Sequence, residues 1–173
     1  YEGLIRQLII RSKVEMNMAS LSLLEHLMLV HPGLTPGGIV ARRVECVVPC
    51  HSSLWGRIRG RFDVAGVLAQ ALASAWGVPL VSAPWSLHWR WKKRTQMSER
   101  HIDDSTEDLM MGWQGRANEE WLKRCGGRLE GRGVLIVDDV MTNGHTLRVV
   151  GEAIAGANPA ETRTLTLAQA RIG

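Results

Sequence analysis

The chain is poor in aromatic residues other than tryptophan: one Tyr and one Phe stand against seven Trp in 173 residues. Cysteine is scarce and odd in number. The three present, Cys46, Cys50 and Cys125, are too few for a disulfide scaffold and point to a reducing compartment, the cytoplasm. No apolar run approaches the roughly 18 to 20 residues of a membrane span. The opening Tyr1-Glu2-Gly3 has no basic segment leading into an apolar one, so neither secretion nor membrane insertion is expected. The chain begins without methionine. Internal repeats and low-complexity tracts are missing as well. Charge is only mildly biased: 21 Lys and Arg against 17 Asp and Glu give +4, which favours an anionic partner and excludes a histone-like binder. With 45% hydrophobic and 22% charged residues, the composition suits one folded domain over residues 1–173 and excludes both wholesale disorder and two large domains.

Hydrophobic spacing predicts a helix over 3–30, with Leu4, Ile5, Leu8 and Ile9 and then Leu21, Leu24, Leu27 and Met28 on one face. The Pro- and Gly-bearing stretch 31–38 reads as a loop. Val44–Pro49 reads as a short buried strand, and Phe62–Trp76 as a helix closed by Gly77. Val78–Ala83 is a second strand. From about 84 to 131 runs a polar, Trp-bearing flap or hood with a helix around Asn118–Cys125. Val134-Leu135-Ile136-Val137 is a continuous apolar run, as in a strand buried on both faces of a parallel sheet. A polar turn follows, then a helix from Leu147 to a stop at Gly156 or Asn158-Pro159, and a last strand over Thr162–Leu167. This alternation is the α/β pattern of a parallel sheet, which binds ligands at the carboxyl ends of its strands.

The chemistry concentrates after the apolar run. Two adjacent carboxylates, Asp138 and Asp139, at the tip of a buried strand need hydrogen-bond donors or cations. A sugar diol supplies donors. Thr142-Asn143-Gly144-His145-Thr146, at the entry to a helix, forms an anion cup from backbone N–H groups, the positive end of the helix dipole and threonine hydroxyls. A diol acceptor beside a phosphate cup matches the two ends of a ribose 5-phosphate.

The segment 134–146, Val-Leu-Ile-Val-Asp-Asp-Val-Met-Thr-Asn-Gly-His-Thr, resembles the phosphoribosyl pyrophosphate (PRPP) motif of the type I phosphoribosyltransferases. Asn143 replaces the usual hydroxyl residue before the glycine; it keeps hydrogen bonding and tolerates a left-handed turn. Further segments narrow the family. Tyr1-Glu2-Gly3 with Leu8-Ile9 and Lys13 looks like the opening of the competence protein F (ComF) family, and Val47-Val48-Pro49 like its VPVP strand end. Arg59-Gly60-Arg61-Phe62-Asp63-Val64-Ala65 is similar to its RRGFNQA, with Arg61 at the glycine and Asp63 at the asparagine. Arg94-Thr95-Gln96 and Glu99-Arg100-His101-Ile102-Asp103 resemble its flap, with Asp103 in place of asparagine, and Thr166-Leu167-Ala168 matches its close. Family members usually carry a four-cysteine zinc module ahead of this domain; residues 1–173 do not contain it.

The resemblance implies a Rossmann-like type I phosphoribosyltransferase core with N-terminal helices and an inserted flap. It also implies a magnesium-dependent transfer of ribose 5-phosphate from PRPP to an unidentified acceptor, with release of pyrophosphate. Asp138 and Asp139 would accept the ribose hydroxyls and favour cationic character at C1, standing mostly beyond the direct ligands of Mg2+. Val140, Met141, Thr142, Asn143, Gly144, His145 and Thr146 would complete the PRPP site around the 5-phosphate. Pro49, Cys50, His51 and Arg94 would meet the pyrophosphate, although His51 reads equally well as an ordinary loop histidine. A homodimer is common among such relatives.

Cys46, Cys50 and His51 invite a metal reading, but no fourth ligand is near, and core packing accounts for the cysteines. Cys50 is also a candidate nucleophile, with no base to activate it. Arg57, Arg59 and Arg61 form one basic cluster; Arg90, Lys92, Lys93 and Arg94 form another, interleaved with Trp85, Trp89 and Trp91. These are solvated faces or anion contacts; in an alternative reading the protein is a non-catalytic PRPP or nucleotide sensor, or a DNA-uptake accessory that stacks single-stranded DNA on this surface.

Overall fold

In the computed structural model, which describes residues 3–50, 62–82, 119–141 and 144–169, the apolar opening folds as two helices instead of one. α1 (Leu4–Val14) gives way at Glu15, and α2 (Met18–Leu29) begins after Asn17, whose side-chain oxygen accepts the Ser20 amide at 2.8 Å. Between them Met16 adopts φ +51°, a left-handed backbone that breaks the helix. The hydrophobic spacing carries across this break: Leu8 and Ile9 of α1 and Leu21, Leu24 and Met28 of α2 are buried in one cluster. Leu4, expected on that face, is 60% exposed.

β1 (Cys46–Pro49) is buried throughout and starts two residues later than predicted. Asp63 caps α3 (Val64–Trp76) by accepting the Gly66 amide at 3.2 Å, and Gly77 ends it at φ +68°, as the sequence predicts. The predicted strand over 78–83 is reduced, among its described residues, to a parallel bridge between Val47 and Leu80. Pro79 contributes its carbonyl to Val47 N–H but has no N–H of its own to extend a ladder. Residues 119–125 are helical. β2 (Gly133–Met141), α4 (His145–Ala155) and β3 (Glu161–Gln169) complete the described elements, with both strands longer than their apolar runs.

The sheet order is β1-β2-β3, all parallel, with Cys46 opposite Val134 and Val134 opposite Thr162. This is the α/β arrangement expected from the sequence. Alternation along β2 divides the core. Leu135 and Val137 pack with α1, α2 and α3, while Val134 and Ile136 pack with α4, Trp121 and Leu129. Leu135 and Ile136, each at most 1% exposed, contribute about 2 kcal/mol apiece by burial. Two of the tryptophans fasten this core through their polar edge. The Trp76 indole donates to the Leu34 carbonyl and the Trp121 indole to the Ser82 carbonyl, each at 2.8 Å.

Candidate functional site

β1 pairs with β2 as far as Pro49 opposite Val137, so Asp138–Met141 project past β1 and pair with β3 alone, Asp138 opposite Thr166 and Met141 opposite Gln169. The Cys50 amide closes the junction by donating to the Val137 carbonyl at 2.7 Å. The two acids therefore sit at the carboxyl end of the sheet, the end at which α/β proteins bind ligands.

Asp139 is 4% exposed and forms an ion pair through Oδ2 with the ammonium of Lys13, in the last turn of α1. Asp138 is half-buried, and its Oδ1 accepts the Asp139 amide at 2.9 Å. Burial, followed by the neighbouring Asp139 charge, pushes the Asp138 carboxyl up to about 7, although the Asp139 amide and Lys13 pull the other way. At neutral pH Asp138 is thus only about half ionised.

After the acids the chain turns into α4 through Gly144, at φ +70°. A Cβ there would meet nothing closer than Met141 Sδ at 3.8 Å, so the left-handed backbone, not space, calls for glycine. The first amides of α4 belong to His145 and Thr146, and amides at that position have no partner within their own helix. An anion is the complementary ligand.

Cys46 and Cys50 are both buried on the α4 side of the sheet. The Cys50 thiol is pushed far above its ordinary range, first by burial and then by Asp138, Asp139 and Asp63. Burial likewise raises Cys46 to about 11. Burial thus disfavours the thiolate at both sulfurs, which weighs against Cys50 as a nucleophile.

Of the residues singled out in the sequence, the structure brings Pro49, Cys50, Asp138 and Asp139 to one end of the sheet. Val140 and Met141 continue β2, and Gly144, His145 and Thr146 open α4. His51, Arg94, Thr142 and Asn143 lie outside the described residues. So do Arg57, Arg59 and Arg61 and the whole Trp85–Arg94 cluster on which the DNA reading depends. Lys13 was not foreseen as a partner of the acids. Its signal was general, in that a buried carboxylate calls for a cation, while the cation's position depended on how α1 docks. Among the described residues no group of three or more His, Cys, Asp or Glu could hold a metal ion, and no helix is long and apolar enough to cross a membrane.

The sequence model of the phosphoribosyl transferase domain matches residues 64–173, from the first residue of α3 through both acids and α4. No curated protein matches the chain. More than half of the chain is matched, and the matched part carries paired acids at a parallel strand tip followed by a glycine-opened helix. The chain belongs to the phosphoribosyl transferase domain family.

Proposed function

We propose that the protein binds PRPP with magnesium and transfers its ribose 5-phosphate to an acceptor, releasing pyrophosphate, as a ComF-like member of the family. One observation carries the reading: Asp138 and Asp139 lie near the carboxyl end of β2, past the end of β1, and the left-handed Gly144, five residues after Asp139, opens α4. In this reading the two carboxylates accept the ribose 2- and 3-hydroxyls, and their charge favours the cationic character that develops at C1 as pyrophosphate departs. The amides at the start of α4, with the hydroxyls of Thr142 and Thr146, hold the 5-phosphate. Cys50 N–H is committed to Val137 and Pro49 has none, so the pyrophosphate contacts fall chiefly to His51 and Arg94.

The acid pair offers hard oxygen donors suited to magnesium, and Lys13 on Asp139 weighs against direct ligation by both carboxylates. Asp138 and Asp139 would therefore hold the ion through water. When bound, it neutralises charge on the leaving pyrophosphate. The ComF-like assignment is supported by the opening that bears Lys13 and by Thr166-Leu167-Ala168, whose Thr166 lies opposite Asp138 in β3.

Calorimetry with PRPP and magnesium tests the reading. Wild type should bind, and Asp138→Asn combined with Asp139→Asn should weaken binding at least about tenfold, the loss of two charge-assisted hydrogen bonds. Absence of wild-type binding would overturn it.

A further inference from the structure

α1 precedes the matched segment 64–173, yet its last turn reaches the acids of β2. The Lys13–Asp139 pair differs in kind from the ion pairs Arg124–Glu120, Arg148–Glu152 and Arg163–Glu161. Those join residues two or four apart, and each has a side chain at least 42% exposed. Lys13 instead links two distant elements, and its side chain is 35% exposed against 6% for Asp139. A carboxylate so buried has few ways to reorient once a cation holds one of its oxygens. Asp138 Oδ1 is held separately, by the Asp139 backbone amide, whose place is set by β2. α1 also docks through apolar contacts, since Leu8 and Ile9 are buried in the core cluster.

We propose that Lys13 is a positioning residue for the sugar-binding acids. From the last turn of α1 it holds the Asp139 carboxylate in the orientation that accepts a ribose hydroxyl, beside Asp138 on the same strand end. The proposal rests on the PRPP reading given above. It makes α1 part of the binding site through Lys13.

The test is a double-mutant cycle read by calorimetry with magnesium and PRPP. Lys13→Met should weaken binding about tenfold, and Lys13→Arg, which restores a cation, should return it to within about threefold of wild type. Added to Asp139→Asn, Lys13→Met should cost less than about a further twofold, because its target is gone. A role limited to seating α1 would instead lower the folded fraction, read as reduced calorimetric stoichiometry and a lower urea midpoint, with Kd unchanged. Lys13→Gln covers the case in which the methionine variant fails to fold, with a loss of at least about fivefold expected. Full additivity, or a Lys13→Met or Lys13→Gln protein that binds like a PRPP-binding wild type, overturns the proposal and leaves the functional reading intact. Failure of wild type to bind PRPP overturns both.

Discussion

The amide of Asp139 donates to Oδ1 of Asp138 at 2.9 Å while the Asp139 carboxylate pairs with Lys13, so two adjacent acids share one peptide and one cation. Burial, and then the Asp139 charge, push the Asp138 carboxyl up to about 7. Burial in this place disfavours the charged form of the carboxyl.

This strain gives stability a pH dependence of known sign. The Asp138 carboxyl rises from an ordinary 3.8 to about 7, so over that window the native protein keeps a proton that the unfolded chain has lost. Stability from this group therefore falls as pH rises through the window and is lowest above it. Asp138→Asn keeps an oxygen for the Asp139 amide and carries no charge. The ligand-free variant should be more stable than wild type at pH 8, by about 2 kcal/mol, with the gain vanishing near pH 4. Thermal melts at the two pH values check this, and a gain that does not change with pH would contradict it.

Gly133, the first residue of β2, is a second sensitive point. A Cβ there would collide with the backbone carbonyl of Arg43, and the same glycine exchanges bonds with Glu45, whose amide donates to Gly133 O at 2.8 Å. Because the obstacle is backbone, Gly133→Ala should destabilise by about 3 kcal/mol or more. Urea unfolding measures the loss; a near-neutral result would mean that the β1–β2 junction is looser than described.

Gly144→Ala probes the turn into α4 differently, since a methyl group has room there and the left-handed φ of +70° is the obstacle. The expected cost is about 1 kcal/mol in urea unfolding, together with weaker binding of inorganic phosphate as the amides of α4 shift.

The thiols should differ in reactivity. Cys125 is half-buried, whereas Cys46 and Cys50 are buried and hold their protons. Alkylation of the native protein followed by mass mapping should label Cys125 first, with Cys46 and Cys50 reacting only on unfolding. Rapid labelling of Cys50 would restore it as a nucleophile.

The central strand was legible in the sequence because a four-residue apolar run ending in two acids admits few other arrangements, whereas the helix after it begins at His145, two residues before the predicted Leu147, because polar residues open it. The extension of β2 to Met141 and of β3 to Gln169 was less visible: polar residues such as Asp138 and Thr166 pair through backbone groups, which hydrophobic patterning does not register. The break between α1 and α2 was hidden because Met16, and no glycine or proline, takes the left-handed conformation. The Lys13–Asp139 pair was hidden for a different reason. Charge demand at Asp139 can be read locally, but the group that answers it comes from a helix whose docking is set by Leu8, Ile9 and their partners.

The most direct test of the central claim is a crystal structure with PRPP and magnesium. The account predicts the ribose 2- and 3-hydroxyls on the carboxylates of Asp138 and Asp139, the 5-phosphate on the amides opening α4, and Lys13 still on Asp139. PRPP bound elsewhere, or a ribose turned away from both acids, would contradict it.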